Sequence, residues 1–187
     1  MINFDFDRLA MIAYLAQNAP NKWIGRKALM KYLYFLQILR GVPLGYHFTL
    51  YSYGPFDSSV LNDLGSAEAL GLVESTLEAY PSGYGYRIES KIEADDINEL
   101  GGELLSKNRD NVNWVLKEFG GRNVGELELE STIVFVEGEA SKGGTSLPIN
   151  DLVSQVHDVK PHFLKAEIEQ RIGALQNLDL LKHVTPF

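Results

Sequence analysis

The side chains best suited to metal binding or acid–base catalysis are the four histidines of this chain. His157 and His162 are five residues apart, with Pro161 between them. Two histidine ligands on one helix are expected four residues apart, because that spacing places both on the same face. His47 stands among aromatic residues, where a packed or hydrogen-bonded ring is the more common role. The histidines therefore predict no metal site.

Two groups of carboxylates are the next candidates for chemistry. Asp95, Asp96, Glu99 and Glu103 share one side of a predicted helix, and three glutamates alternate along residues 126–130. Paired carboxylates can act as acid and base where burial separates their pKa values. No aromatic cleft is evident beside either group, so we interpret both as solvated acidic faces.

Nucleotide-binding and nucleophile motifs are missing from the sequence. The segment SKGGTS, residues 141–146, has its lysine before the glycines, whereas a P-loop has Gly-Lys followed by Ser or Thr. No serine lies in a Gly-x-Ser-x-Gly turn. The chain has no cysteine, which excludes thiolate nucleophiles, disulfides, iron–sulfur clusters and cysteine-bound zinc. We therefore expect a non-enzymatic protein with no catalytic residues and no cofactor.

Charge is distributed unevenly along the chain. The net charge is −8, yet residues 9–56 carry five basic and no acidic residues, while residues 57–140 carry six basic and eighteen acidic residues. Phosphate neutralisation supplies most non-specific affinity for nucleic acids, so the overall acidity is unfavourable for a general nucleic-acid binder. The basic segment either binds an anionic partner or pairs with the acidic segment inside the fold.

The hydrophobic pattern predicts an α+β fold that positions these residues. Apolar residues at helical spacing predict three helices, over residues 5–18, 25–40 and 57–70. β-Branched and aromatic residues predict a strand over 46–53, and residues 72–90 predict a β-hairpin. The order of these elements is typical of a winged helix, in which the hairpin is the wing.

The predicted organisation has two domains. A winged-helix-like domain over residues 1–91 is followed by a mainly helical domain over residues 92–187, packed closely on the first. The second domain begins with two helices divided near Arg109, and the ambiguous segment 124–140 is interpreted as a helix. Its last two helices form a second helix-turn-helix-like pair, broken at Pro161.

Three features combine in the stretch of residues 26–56. A helix with a basic-apolar-Lys-x-Leu-Tyr pattern ends in Gln37, a Gly-x-Pro-Leu turn follows at 41–44, and a Tyr-Gly-Pro element lies at 53–55. The stretch resembles the Panacea-domain family, which includes SocA-like antitoxins and proteolysis adaptors, and the related YwgA-like uncharacterised proteins. Phe56 after the Gly-Pro pair looks closer to the YwgA-like branch. The resemblance implies protein recognition, in toxin neutralisation or in delivery to a protease.

Five aromatic residues lie within residues 46–56. On a strand, Tyr46 and Phe48 point to one side and Tyr51 and Tyr53 to the other. Either both sets cover a two-sided core, or one set forms a partner-binding surface, since tyrosines are enriched in interface hot spots. The second set and the basic helix together provide six candidate partner-binding residues: Arg26, Lys27, Lys31, Tyr34, Tyr51 and Tyr53.

A DNA-binding transcriptional regulator is the alternative function. The third helix of a winged helix normally enters the major groove, but here it carries Asp57, Asp63 and Glu68 and no lysine or arginine. The remaining candidates for DNA contact are the second helix and the C-terminal helix pair. The residues of that pair that would bind DNA are Lys160, Lys165 and Arg171.

Membrane association and secretion are not expected. No apolar run approaches the ~20 residues of a membrane span. Asp5 and Asp7 stand near the N-terminus, where a signal peptide carries positive charge. These features predict a cytoplasmic protein with no membrane partner.

Overall fold

The structure, a computed structural model, describes residues 5–80, 83–142, 144 and 146–185 of the chain. These residues form an α+β fold dominated by helices, as predicted. The helices are α1 (Phe6–Asn18), α2 (Arg26–Arg40), α3 (Ser58–Ala69), α4 (Ala94–Leu100), α5 (Gly102–Phe119), α6 (Val124–Ser141), α7 (Ile149–Val159) and α8 (Lys165–Asn177). The strands are β1 (Ile24–Gly25), β2 (Thr49–Tyr51), β3 (Gly54–Phe56), β4 (Val73–Tyr80), β5 (Gly83–Ser90), β6 (Leu147–Pro148) and β7 (Val184–Thr185).

The described residues divide into two compact units. The first unit falls within Met1–Phe48 and Asp57–Arg122, and the second within Thr49–Phe56 and Asn123–Phe187. This division differs from the sequence-based boundary after Lys91, because α4 and α5 pack against α1. The hairpin of β2 and β3 belongs to the second unit because β3 packs against α6. The close packing of the two predicted domains stays a prediction.

The first unit builds its core from five helices, α1 to α5, and an antiparallel sheet. The sheet order is β1-β5-β4, with Ile24 opposite Ile88 and Val73 opposite Ser90. Ile24, Val73 and Ile88 are buried together with Leu33 of α2. Removing such apolar side chains from water is the main force that stabilises this core.

Local capping signals define the first helices where the sequence predicts them. The Asp5 side chain accepts a hydrogen bond from the Arg8 N–H at the start of α1. Gly41 ends α2 in the left-handed region, at a φ of +67°, and its N–H donates to the Leu36 carbonyl. The prediction of a helix for residues 124–140 is also confirmed, since α6 covers this segment. The predicted break near Arg109 is wrong: α4 ends before Gly101, and α5 runs uninterrupted through Arg109.

The strand predicted over residues 46–53 is limited to Thr49–Tyr51. The Gln37 side chain forms hydrogen bonds with both backbone groups of Tyr46. Its amide nitrogen donates to the Tyr46 carbonyl at 2.8 Å, and its amide oxygen accepts from the Tyr46 N–H at 2.9 Å. A side-chain amide thus takes the place that a neighbouring strand would have. Side-chain hydrogen bonding of this kind overrides the local β propensity of the segment.

The second unit is organised around α6, which packs against α7, α8 and β3. Residues on all sides of α6 are buried, and they include three glutamates, Glu128, Glu130 and Glu137. The β2–β3 hairpin has Tyr51 opposite Gly54, so Ser52 and Tyr53 form its two-residue turn. Of the segment 141–146, which the sequence predicts to be a loop, Gly143 and Thr145 lie outside the described residues.

No helix within the described ranges combines the length and the apolar character that crossing a lipid bilayer would demand.

Gly54 is the point at which the hairpin approaches α6. Its φ is +86°, in the left-handed region. A Cβ atom at this position would lie 3.0 Å from the Ser131 Oγ atom and 3.2 Å from the Thr132 Oγ1 atom. Gly41 has a similar φ, but a Cβ atom there would meet nothing within 4 Å.

Gly54→Ala is therefore expected to lower the free energy of unfolding more than Gly41→Ala does. Both variants incur the left-handed strain of about 1–2 kcal/mol, and only the first adds a steric conflict with α6. Urea denaturation followed by circular dichroism measures the difference. Equal losses in the two variants would show that the close approach of the hairpin to α6 costs nothing extra.

Candidate functional site

The most unusual side chain in the second unit is the buried Lys160, which follows α7 and is 3% exposed. Its ammonium group donates to the Glu128 Oε1 atom at 2.8 Å, to the Tyr51 carbonyl at 3.3 Å and to the Ser52 carbonyl. A lysine has three N–H donors, and each has an acceptor here. This complete pairing is the condition under which a buried charge is tolerated.

Glu128 supplies the negative charge of this cluster from the first half of α6. Its side chain is 9% exposed, and the Oε1 atom that binds Lys160 also lies 3.4 Å from the His162 Nε2 atom. The His162 side chain is 57% exposed. Its loop is held by His157, whose Nδ1 atom is 3.0 Å from the Phe163 carbonyl oxygen. The cluster therefore extends from the interior to a histidine at the surface.

A second ionic group on the same helix involves Arg171 of α8. Its guanidinium contacts the Glu130 Oε1 atom at 3.2 Å and also binds the Glu126 Oε1 atom. Glu126 belongs to a capping box as well, in which the Asn123 side chain accepts from the Glu126 N–H. Arg171 thus joins α8 to the N-terminal half of α6.

The interpretation of residues 126–130 as a solvated acidic face is wrong for two of the three glutamates. Glu128 is 7% exposed and Glu130 is 1% exposed. The sequence carries a signal for this result, because glutamates at alternate positions of a helix point to different faces, and the neighbouring residues are apolar. Their cationic partners lie more than thirty residues away, so spacing along the chain does not identify them.

The hairpin turn held by Lys160 presents two aromatic side chains. We call residues 51–54 the hairpin tip. Tyr51 is 65% exposed and Tyr53 is 55% exposed, while Gly54 is buried against α6. The backbone of the tip is thus held from inside, and its tyrosines remain on the surface. A fixed loop with exposed tyrosines is suited to binding another molecule at low entropic cost.

The six candidate partner-binding residues have different environments. Lys27 is exposed, and Arg26 lies over the Tyr86 ring with 3.6 Å between the guanidinium carbon and the ring centroid. Lys31 is 4% exposed and Tyr34 is 2% exposed, so neither offers appreciable surface to a partner. Tyr34 packs edge-on against another aromatic ring of the first unit. Tyr51 and Tyr53 are the members that the structure brings together on one exposed turn.

The three candidate DNA-contacting residues of the C-terminal pair also differ. Lys160 is buried and bound to Glu128, and Arg171 is bound to two glutamates. Lys165 is exposed at the start of α8. Two of these three positive charges are therefore compensated within the second unit.

Asp63 on α3 is buried and does not contribute its charge to the exposed surface of that helix. It is 8% exposed, accepts from the Tyr46 hydroxyl at 2.9 Å and forms an ion pair with the Arg8 Nε atom at 3.0 Å. Burial raises the pKa of Asp63, although the Tyr46 hydrogen bond and the charge of Arg8 act in the opposite direction. Burial and the nearby Asp63 also raise the pKa of Tyr46.

Asp57 is the N-cap of α3, and its carboxylate also accepts a hydrogen bond from the backbone of His47, which precedes β2. Its carboxylate accepts from the Ser59 N–H at 2.8 Å and from the His47 N–H at 2.5 Å. Burial alone would raise the pKa of Asp57, but these backbone hydrogen bonds outweigh it, so the pKa lies below its ordinary value of 3.8.

Models of known protein families give no match to this chain, and no curated protein matches it at a significant level.

Lys160→Met is expected to destabilise the second unit by about 3–5 kcal/mol, because it leaves the Glu128 carboxylate buried without its cation. Chemical denaturation of the variant measures the loss, and Lys165→Met is the matched control at an exposed lysine. The double variant Lys160→Met/Glu128→Leu is expected to recover part of the stability. A loss no larger than that of the control would contradict the role assigned to the buried pair.

Asp57→Ala is expected to cost about 1 kcal/mol at pH 7 through the lost cap. Because the pKa of Asp57 is depressed in the fold, its contribution is present above pH 3.8 and disappears as the pH falls through the folded-state pKa. The stability difference between wild type and variant should therefore shrink in acid, as measured by denaturation at several pH values. Asp57→Asn keeps an acceptor and should show a smaller difference at neutral pH.

Proposed function

We propose that this chain is a non-catalytic protein-recognition module and that the hairpin tip is its contact surface. One observation carries the proposal: a buried ammonium binds the tip backbone from inside while Tyr51 and Tyr53 stay more than half exposed. Such a turn is preorganised, so binding would not have to order it. Tyrosines in this setting contribute large contact areas with few rotatable bonds.

We further propose that the first unit has a winged-helix-like arrangement. In its favour, the elements follow the order α1, β1, α2, α3, β4, β5, and the sheet order is β1-β5-β4. In this arrangement β4 and β5 are the wing. We also propose that α7 and α8 are the second helix-turn-helix-like pair, because they pack against each other across a turn that contains Pro161.

The resemblance to the Panacea-domain and YwgA-like proteins is consistent with a recognition role. The tip comes near the end of the stretch that carries the resemblance, in its Tyr-Gly-Pro element at residues 53–55. Gly54 in that element is required by the close approach to α6. On this basis we propose a protein partner of the kind that an antitoxin or a proteolysis adaptor binds.

A DNA-binding regulator is the second candidate, since the order of the sheet in the first unit also suits a DNA-binding winged helix. The surface of α3 gives this candidate little support. Ser58, Leu61 and Asn62 are exposed there, and α3 contains no lysine or arginine to neutralise phosphate. The wing cations Arg87 and Lys91 are each paired with glutamates.

The test is affinity capture from the source lysate with the wild type and with Tyr51→Ala/Tyr53→Ala. A partner bound through the tip should be lost from the double variant, and with the isolated partner the dissociation constant should rise at least tenfold, since each hot-spot tyrosine contributes about 2 kcal/mol. Calorimetry measures the change. Tyr84→Ala is the matched control, because Tyr84 is 81% exposed and lies on β5, away from the tip in sequence.

Nuclease treatment of the lysate separates the two candidate functions. A stoichiometric protein that survives nuclease and depends on the tip supports recognition of a protein. Nucleic acid in the captured material, with all co-purifying proteins lost on nuclease treatment, would overturn the proposal. So would a protein partner that binds the double variant as well as it binds the wild type.

A further inference from the structure

The wing has an edge with unused backbone hydrogen-bonding groups. β4 pairs with β5 on one side only, and no strand of the described residues pairs with its other side. The Lys91 N–H donates to the Leu72 carbonyl, which puts these two residues in a hydrogen-bonded pair. Hydrogen-bonded and non-hydrogen-bonded pairs alternate along an antiparallel ladder. The N–H and C=O groups of Ser75, Leu77 and Ala79 therefore point toward the open edge.

The open edge has few of the features that usually prevent strand pairing. Edge strands are commonly short, or carry proline, lysine or other charged residues. β4 is eight residues long and contains neither proline nor lysine, and its two charged residues are Glu74 and Glu78. Leu77 at its centre is 56% exposed, and Tyr84 and Tyr86 on the same face of the sheet are 81% and 37% exposed. Pairing at this edge would continue the sheet and cover part of that apolar face.

We propose that two copies of this chain associate antiparallel through β4, with Leu77 opposite Leu77 of the second copy. About this two-fold axis, the small residues Ser75 and Ala79 face each other and leave room for the two leucines. On the other face of the sheet, Glu78 lies opposite Thr76 of the second copy. The register brings no two like charges directly opposite, which is the condition for a stable cross-strand pattern.

Registers with the two-fold axis at another residue of β4 are less favourable than the register with the axis at Leu77. An axis at Thr76 places Glu74 opposite Glu78 of the second copy, and these like charges repel. An axis at Ser75 places Leu77 opposite Val73, which is 2% exposed at the base of the wing. An axis at residue 79 would require a backbone hydrogen bond from position 81, which is a proline and has no N–H to donate. The sequence of β4 is therefore self-complementary about Leu77.

The expected association is weak and depends on concentration. About seven residues from each copy take part, whereas stable interfaces commonly engage about 20–30 residues a side. Backbone hydrogen bonds and the covered leucines provide the attraction. Sedimentation of the wild type should show a dimer that dissociates on dilution, and Leu77→Lys should weaken dimerisation at least tenfold while the circular dichroism spectrum is unchanged.

The absence of cysteine permits a sharp test of the register. Leu77→Cys should form a disulfide-linked dimer under mild oxidation, because residues in a hydrogen-bonded antiparallel pair have Cα atoms about 5.5 Å apart, within disulfide range. Thr76→Cys alone should not form this disulfide, because residue 76 lies opposite residue 78 of the second copy, and residue 76 of that copy is two positions away. A mixture of Thr76→Cys and Glu78→Cys should form the mixed dimer. Tyr84→Cys is the control for random collision at an exposed site.

Each outcome of the cross-linking experiment bears on the proposal. Rapid cross-linking of Leu77→Cys, with little for Thr76→Cys and Tyr84→Cys, supports both the edge pairing and its register. Preferential cross-linking of Thr76→Cys alone overturns the register. Equal cross-linking of all single variants, or a wild type that remains monomeric at the highest concentration in sedimentation, overturns the association through β4.

Discussion

The charge of Lys160 imposes the strongest constraint on the second unit. An ammonium removed from water must find an acceptor for each of its N–H groups, because the cost of an unpaired buried charge exceeds what most packing contacts provide. Glu128 and the carbonyls of Tyr51 and Ser52 meet that requirement. The lysine thus connects three segments that are far apart in sequence: the end of α7, the first half of α6 and the hairpin turn.

The position of the hairpin in the chain explains why such a connection is needed. Residues 49–56 leave the first unit after Phe48 and return to it at Asp57. The residues that flank this segment are held within the first unit: Gln37 binds the Tyr46 backbone, and Asp57 accepts from the His47 N–H. Three-residue strands are too short to be stable alone, so the hairpin depends on α6 and Lys160.

Many of the positive charges are compensated within their own unit, and this compensation is our reason for preferring the proposed recognition role to nucleic-acid binding. Arg171 and Lys160 are bound to carboxylates of α6, and Arg87 and Lys91 are bound to glutamates of β4 and β5. Cations used in this way contribute little to phosphate neutralisation. The exposed side chains of the hairpin tip are instead aromatic: Tyr51 and Tyr53 lie on a turn whose backbone is already ordered.

Local signals in the sequence determined much of the secondary structure. Asp5, Gly41 and Asp57 cap helices that the apolar pattern predicts at these positions, and capping involves only residues within one helical turn. The apolar periodicity of α2 and the hairpin of β4 and β5 are equally readable, whereas the short strands β1 and β3 were not predicted. The tertiary structure alone decided the assignment of residues 49–56 to the second unit and the burial of Lys160. Both depend on partners more than thirty residues away, and neither propensity nor spacing carries information about such partners.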